Sequence, residues 1–483
     1  MKIRLVLRVL AVICGVVSCS MLMPLALSVY DGSDDAWAFL FSILSGLILA
    51  VVFMLLSSSS SEQFSLGIRE GVGATGFSWI TASALGALPY WYSGSMASYT
   101  DAFFEAVSGF TTTGATVLSD IEALPRGLLL WRSLTHWAGG MGIIVLSLAV
   151  LPFLGVSGME MYRAEVPGVT AGKLTPRLHQ TAVRLWGLYV VLTLAEAVLL
   201  YLGGMGVFDA FCHSCSTLAT GGFSTKNSSI AGYGAYIQWV VIVFMFLSGV
   251  NFSLYFLLLR KPFREVLSDE ELRAYIRITF CASASIALCL YLSGEGVGFE
   301  FLARKSLFHV VSVMTTTGFV ADDYDLWPPF TKLVIIILMV IGACGGSTGG
   351  GCKVSRIIII WRRAKCELLK LLHPRAVILP SMDGRPLGAG TVSGAGAFMV
   401  FFVLMLFSGA LITAAYGIDI LTAFTGVLTC LSNVGPGLGY LGATESFGWL
   451  PSGVKWLFAL CMLAGRLELF AVILLVLRGT YGK

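Results

Sequence analysis

Four stretches of the chain place a glycine behind small or hydroxyl residues at the C-terminal end of a short apolar segment. They are SGFTTTGAT (108–116), STLATGGFS (216–224), SVMTTTGFV (312–320) and CLSNVGPGL (430–438). With Gly114, Gly222, Gly318 and Gly435 taken as equivalent, the spacings are 108, 96 and 117 residues. Four similar loops in one chain can close a ring around a central axis. A ring of backbone carbonyls and Thr/Ser hydroxyls replaces the water shell of a dehydrated alkali cation. Glycine suits such a ring because inward-turned carbonyls need backbone angles that a Cβ resists. The plainer reading makes these loops helix caps without ion duty, and it must then account for four homologous copies.

Other chemistry finds little support. The 11 cysteines are scattered, mostly inside apolar spans, which argues against a disulfide framework. The CHSC at 212–215 has no second ligand pair beside it and suits one face of a short helix, so no metal site is expected there. The histidines form no HExxH-like cluster. Neither GxGxxG after a strand nor GxxxxGK[ST] occurs, so no nucleotide cofactor is expected on this chain. The net charge of +4 gives no sign of nucleic acid. A membrane-embedded enzyme or sensor would need a clustered nucleophile, a metal site or an extramembrane domain, and the longest polar stretches are loops.

The elements that must position the loops are membrane helices. Of 483 residues, 57% are hydrophobic and 12% charged, and the mean hydropathy is +0.86. Soluble domains carry about twice that charged share. Apolar runs of about 20 residues, enough to cross a bilayer, recur throughout, so the chain reads as an all-α polytopic membrane protein. The start, MKIRLVLRVLAVICGVVSCS, looks like a signal peptide with a poor lipobox, but the apolar run continues too far and reads as an uncleaved first helix. Two spans, 4–30 and 36–57, come first. One unit then recurs four times: long helix, short re-entrant helix, glycine loop, second long helix. The long spans fall at 73–92 and 127–155, 181–204 and 233–259, 275–294 and 328–372, then 392–415 and 449–478. The units are assigned as 1–70 for the leading helices, then 71–160, 161–265, 266–385 and 386–483. Re-entrant segments begin near Asp101, Asp209, Glu300 and Asp419, where an acid caps free N–H groups. Non-helical backbone at membrane depth survives only inside protein or beside a watery cavity, which a fourfold pseudo-symmetric pore supplies.

Segments between units are basic: MYRAEVPGVTAGKLTPRLHQTAVR, RKPFREVLSDEELRAYIR and KVSRIIIIWRRAKCELLKLLHPRAV. The glycine-loop side holds Asp101, Asp120, Glu122, Asp209, Asp322, Asp323, Asp325 and Glu445. Basic loops are therefore expected in the cytoplasm, with the glycine loops opening outward. An acidic vestibule would concentrate cations there.

Two features stand below the ring. Residues 345–351 read GGSTGGG inside an apolar segment, and each glycine costs about 1 kcal/mol against alanine in a helix interior. Five glycines in seven residues mark a break. Arg466, in MLAGRLELF, lies 31 residues after Gly435, much as Gly345 lies 27 after Gly318. An intramembrane arginine faces a partner or a water-filled path, and its charge there would raise the barrier to a cation. Pairing with Glu468 or another acid, or snorkelling to the inner interface, are the alternatives. Lys353 would anchor the lower end of the loop or touch a regulatory partner, and ordinary positive-inside placement explains it equally well. Glu196 reads as an inter-repeat structural pair, and Arg132 and His136 as packing.

The sequence resembles the Trk-type potassium uptake proteins, the TrkH branch of the Trk/Ktr/HKT cation transporter superfamily. The resemblance covers nearly the whole chain. It is carried by SGFTTTGAT, WRSLTHWAGGMG (131–142), LATGGFST (218–225), TTTGF (315–319), GGSTGGGCKVSR (345–356), SNVGPGLG (432–439) and AGRLELF (464–470), in that order. It implies that Gly114, Gly222, Gly318 and Gly435 are filter glycines. K+ would bind beside them at Thr112, Thr113, Thr220, Gly221, Thr316, Thr317, Asn433 and Val434. Glycine rather than serine at 114 points to potassium over sodium. Val434 and Pro436 break the pattern in the fourth copy, so fewer well-formed ion sites and weaker selectivity are expected than in an identical-subunit channel. Gly345, Gly346, Ser347, Thr348, Gly349, Gly350, Gly351 and Arg466 would form a gate. The resemblance further implies a homodimer in the bacterial cytoplasmic (inner) membrane. A separate cytosolic TrkA-type subunit binding NAD and ATP/ADP would control it. The basic stretch 361–375 is a plausible docking surface for that subunit, or for anionic membrane lipids. Passive flow is favoured over proton- or sodium-coupled symport because the glycine loops themselves contain no acid.

Overall fold

The computed structural model describes residues 3–57, 68–142, 178–258, 262–294, 298–376 and 378–469. Their architecture is helical; the strands among them are the two-residue antiparallel pair Ser381–Met382 and Arg385–Pro386. Among the described residues, five helices are long and apolar enough to cross a membrane, six if one bent pair counts as a single span.

Helices Ile3–Ser20 and Leu22–Asp31 form one apolar run, and Ala36–Ser57 packs back against the first of them. Its residues Leu47, Ile48, Val51, Leu55 and Leu56 stay exposed, as lipid-facing side chains would. Four helix–loop–helix units follow. Their long first helices are Ile68–Gly86, Leu178–Leu202, Glu270–Leu292 and Ala389–Ala415. Their short helices are Tyr99–Phe110, Val207–Leu218, Phe299–Met314 and Ile420–Ser432. The short helices are the core of the molecule: every residue of 102–110, 308–314 and 425–432 is buried, hydroxyl-bearing ones included.

The helices after the glycine loops depart from simple spans. Arg126–Gly140 and Ser452–Arg466 open the first and fourth; the rest of the expected spans, 143–155 and 470–478, lies outside the described residues, as does 161–177 of the first basic segment. In the third unit Pro329–Ile341 and Val354–Leu372 are separated by residues 342–353, as the glycine content requires. The second unit corrects the sequence expectation of one continuous helix over 233–259. Ala235–Ser248 and Phe252–Leu258 meet at 93° around Gly249–Asn251. The physical reason is the third-unit break beside it: the Gly249 carbonyl accepts from Cys344 N–H at 3.1 Å, and Phe252 N–H donates to the Gly346 carbonyl at 3.0 Å. Backbone groups freed by one broken helix are satisfied by the other.

The acids at the starts of the short helices also behave differently from expectation. Only Asp419 caps its own helix with its side chain, accepting from Thr422 N–H at 3.1 Å. Ser98 is the cap of the first, while Gly206 and Gly298 stand at the second and third without a side-chain cap. Asp101 instead takes Lys455 at 2.6 Å, Asp209 accepts from Thr225 at 2.7 Å, and Glu300 pairs with Arg304 at 2.8 Å. Their first-turn placement still complements the helix dipole, while Asp101 and Glu300, the latter accepting from Trp239 Nε1–H at 3.0 Å, reach other units and Asp209 stays within its own.

Candidate functional site

Each short helix ends in the same way. The N–H groups of Thr113, Gly221, Thr317 and Val434 reach back five residues, to the carbonyls of Ser108, Ser216, Ser312 and Thr429, at 2.8–3.0 Å. Those of Thr112, Thr220, Thr316 and Asn433 reach back three. This is the Schellman cap, which needs a left-handed residue just past the helix. Thr112, Thr220, Thr316 and Asn433 supply it with φ of 54°, 55°, 60° and 56°. Glycine is the ordinary choice, and a β-branched residue there costs roughly 1–2 kcal/mol. Two residues on, Gly114, Gly222, Gly318 and Gly435 are again at positive φ (82°, 82°, 78° and 102°). Two positive-φ residues within three positions give each loop a backbone path that helix and strand do not take.

The four loops close in a cycle. A Cβ on Gly114 would strike the carbonyl oxygen of Gly221, one on Gly222 that of Thr317, and one on Gly318 that of Val434. On Gly435 it would come within 2.6 Å of the Thr113 carbonyl. Each glycine therefore lies against the carbonyl that precedes the glycine of the next unit, in the order one, two, three, four, one. The fourth copy keeps this geometry despite Val434 and Pro436, because backbone conformation rather than side-chain type builds the ring. All four glycines line one cavity of about 290 Å³ at the mouth.

The threonine hydroxyls are largely spoken for. Thr113 and Thr317 pair with Thr111 and Thr315 at 2.8 Å, and Thr220 donates to the Ala219 carbonyl at 2.6 Å. The Asn433 amide donates to Thr113 Oγ1 at 3.0 Å and to the Met462 carbonyl at 2.9 Å. The oxygens left to face an axis are chiefly backbone carbonyls.

Behind the ring, one position on three of the short helices braces its own loop. Nine residues before the glycine stand Glu105, His213 and His309. Glu105 accepts from Thr116 Oγ1 and Val117 N–H at 2.9 and 3.0 Å. His213 reaches Ser224 Oγ at 2.9 Å and His309 reaches the Asp322 carbonyl at 3.0 Å. In the fourth unit that position is Gly426, and neighbouring Thr425 bonds both backbone groups of Leu438. Glu105 is also ion-paired with Arg132 at 2.9 Å, both side chains 0–1% exposed. Arg132 donates to the Ser224 carbonyl at 3.1 Å and lies 4.0 Å over the Phe223 ring, whose other neighbour is His136, stacked at 4.0 Å. Arg132 and His136 thus hold the first two loops together. Sequence reasoning assigned them to packing; the available signal was a full charge inside an apolar helix opposite Glu105 in DAFFEAVSG.

The outer loop segments are stitched around the same cycle. Asn227 joins the second to the first through Ile121 N–H at 2.7 Å and Asp120 at 2.8 Å. Ile230 N–H meets the Val320 carbonyl at 3.0 Å. Asp325 accepts from Gly439 N–H at 3.1 Å, and Phe447 N–H donates to Thr116 O at 2.8 Å. This revises the expected acidic vestibule. Of the eight acids named for it, Glu445 lines the mouth, beside Lys226. Asp322 pairs with Lys305 at 2.7 Å, Glu122 with Lys226 at 3.6 Å, and Asp323 caps a short turn.

Residues 342–353 lie directly beneath the ring and touch the second, third and fourth units, while Arg466 links them to the first. Gly350 N–H donates to Thr316 Oγ1 at 2.6 Å, and a Cβ on Gly350 would strike the Ser432 carbonyl. Thr348 Oγ1 reaches the Leu218 carbonyl at 3.1 Å. Arg466 donates to the carbonyls of Thr348, Gly139 and Gly140 at 2.7, 2.5 and 3.0 Å. Lys353, buried and with φ 73°, donates to the Gly349 carbonyl. Glu468 is not the partner of Arg466: it pairs with Arg356 at 2.6 Å. Gly345, Gly346, Ser347 and Gly351 complete the loop, Ser347 turning its hydroxyl to the Cys344 carbonyl at 2.7 Å. Glu196 is buried without an ion pair among the described residues, so the inter-repeat pair expected of it is not seen there. No His/Cys/Asp/Glu cluster able to hold a metal ion occurs among the described residues.

Four buried short helices handing their C-termini to one carbonyl ring define a multi-pass membrane transporter rather than an enzyme. The model of the cation transport protein family TrkH matches residues 40–273 and 301–478, and the chain belongs to that family. It is 37% identical over 481 residues to the Trk system potassium uptake protein TrkH of Escherichia coli (strain K12), covering 98% of each chain. It is 34% identical to the Trk system potassium uptake protein TrkG of the same strain, covering 97% of each. The crystal structure of the potassium transporter TrkH from Vibrio parahaemolyticus superposes with a TM-score of 0.86 at 32% identity, covering 100% of each chain.

Proposed function

We propose that the chain conducts potassium through the four-loop ring and that the 342–353 loop gates it. The observation that carries this reading is the closed cycle of glycine-to-carbonyl contacts at 114, 222, 318 and 435. A dehydrated monovalent cation needs several neutral oxygens and must be able to leave them again. The carbonyls of Thr112, Thr113, Thr220, Gly221, Thr316, Thr317, Asn433 and Val434 offer that set without formal charge. The carbonyl ends of four helix dipoles converge below them and favour a cation there. Potassium is the ion named for the relatives, and glycine at 114 agrees with it.

Beneath the ring, the loop fills the path and two cations, Lys353 and Arg466, stand beside it. That arrangement is a closed gate. Opening requires Gly350 to leave Thr316 and Arg466 to release Thr348. Control by a cytosolic TrkA-type subunit carrying NAD and ATP/ADP, a homodimeric assembly, and an inner-membrane orientation with the ring facing outward complete the proposal. The basic face at 361–375 is the surface offered to that subunit. Potassium and sodium flux into liposomes holding the purified chain, with and without the cytosolic subunit, tests it. A reversal potential that follows the potassium gradient alone at several pH values is the expected result. One that moves with pH or sodium would replace this reading by coupled symport.

A further inference from the structure

One carboxylate, lying within the basic segment RKPFREVLSDEELRAYIR, holds both ends of the loop beneath the ring. Glu271 lies in the first turn of Glu270–Leu292 and is 8% exposed. Its Oε1 accepts from Gly345 N–H at 2.7 Å and from Ser355 N–H at 2.9 Å. The first donor stands just after Pro329–Ile341 has ended, and the second in the first turn of Val354–Leu372. The second is one of the donors that a helix start leaves without an intrahelical acceptor, and a carboxylate there also complements the dipole. Bonds to an ionised acceptor are roughly twice as strong as neutral ones. Because one oxygen takes both, a single displacement weakens both.

The neighbouring residue extends this connection toward the polar end of the molecule. Glu270 N–H donates to Asp383 Oδ1 at 2.9 Å, and Asp383 N–H returns to Glu270 Oε2 at 3.0 Å. Arg362 pairs with Glu270 at 2.8 Å and donates to the Ser381 carbonyl. The hairpin 381–386 is therefore fastened to the same helical turn that carries Glu271, and to the helix that leaves the loop.

We propose that Glu271 is the latch holding the 342–353 loop under the ring, and that the hairpin governs this latch through Glu270 and Arg362. The proposal rests on the reading of the loop as a gate. Glu271 bonds the ends of the loop and none of the ring residues, so it acts as a positioning residue: it sets how much of the time the loop is in place. Moving the hairpin tilts the first turn of Glu270–Leu292 and withdraws the shared oxygen from both loop ends.

The test uses the full chain in liposomes without any cytosolic subunit, reading potassium and sodium flux together. Glu271→Asp keeps the charge but pulls it back by one methylene; Glu271→Gln keeps the reach but removes the charge. Both are expected to raise basal potassium flux, Glu271→Asp on the order of tenfold, with the potassium-to-sodium ratio unchanged. Arg362→Gln is expected to raise it less. Unchanged flux in both Glu271 variants overturns the latch. So does reduced flux with an altered ion ratio, which would make Glu271 a support of the ring. Raised flux in Glu271→Asp with none in Arg362→Gln removes the hairpin from the proposal. Arg466→Ala run alongside separates the two levels: if it opens the path and Glu271→Asp does not, the latch fails alone, and if neither does, the gate reading fails.

Discussion

Replacing Arg466 by alanine is the sharpest perturbation of the proposed gate. Its guanidinium donates to two kinds of acceptor: the carbonyls of Gly139 and Gly140, which belong to a fixed helix, and that of Thr348, which belongs to the loop. Of these, the Thr348 bond is the one that holds the loop. A hydrogen bond involving a charged group contributes about 1.5–3 kcal/mol, so losing it shifts the loop toward displacement by roughly 10- to 100-fold. The vacated charge adds to this, since a cation about 4 Å from a guanidinium at an effective dielectric near 20 is repelled by about 4 kcal/mol. The assay is rubidium or potassium uptake into liposomes at matched protein content, without the cytosolic subunit. Basal flux should rise at least about tenfold by this reasoning. Arg466→Lys should fall between, keeping charge but losing the planar fork that spans three carbonyls. Unchanged or reduced flux in a folded Arg466→Ala protein would refute the account.

Other expectations follow from the same geometry. Gly222→Ala should abolish selective flux, because a Cβ meets the Thr317 carbonyl at a φ of 82°; uptake of potassium against sodium reads it. Arg132→Met should lower the melting temperature in detergent by leaving Glu105 buried and unpaired, a loss of about 3–5 kcal/mol. The double variant Arg132→Met with Glu105→Leu should recover much of that stability yet still disturb the ion ratio, since the Ser224 carbonyl stays untethered. Thr316→Val removes the acceptor of Gly350 N–H and should raise basal flux a few-fold, on the order of one neutral hydrogen bond, with Thr316→Ser closer to the parent.

The repeat, the glycine positions and the loop in the third unit were legible because each leaves a local mark: a recurring phrase, or five glycines in an apolar run. Contacts between units were not. Arg132 bridging Glu105 and Ser224, and Glu271 reaching Gly345 and Ser355, join residues far apart in sequence, and no spacing rule connects them. The bend at Gly249–Asn251 was missed because GVN is a weak breaker alone; it is stabilised by a partner nearly 100 residues on. The acids were misread for a related reason. Composition shows that a loop is acidic, but whether a carboxylate faces water or a neighbouring N–H depends on the fold. The fourth loop looked defective by side chain and is intact by backbone, since carbonyls are common to every residue type.

The ring is made by one chain, so its four quarters are separate pieces of sequence. In an assembly of identical subunits, a change to the filter arrives four times over, and small adjustments are unavailable. Here Asn433 already occupies one left-handed position where three threonines hold the others. In the ring proposed to hold the ion, a single substitution reshapes the backbone of one quarter and leaves three as they were, so one unit can be relaxed while its neighbours hold the ring closed.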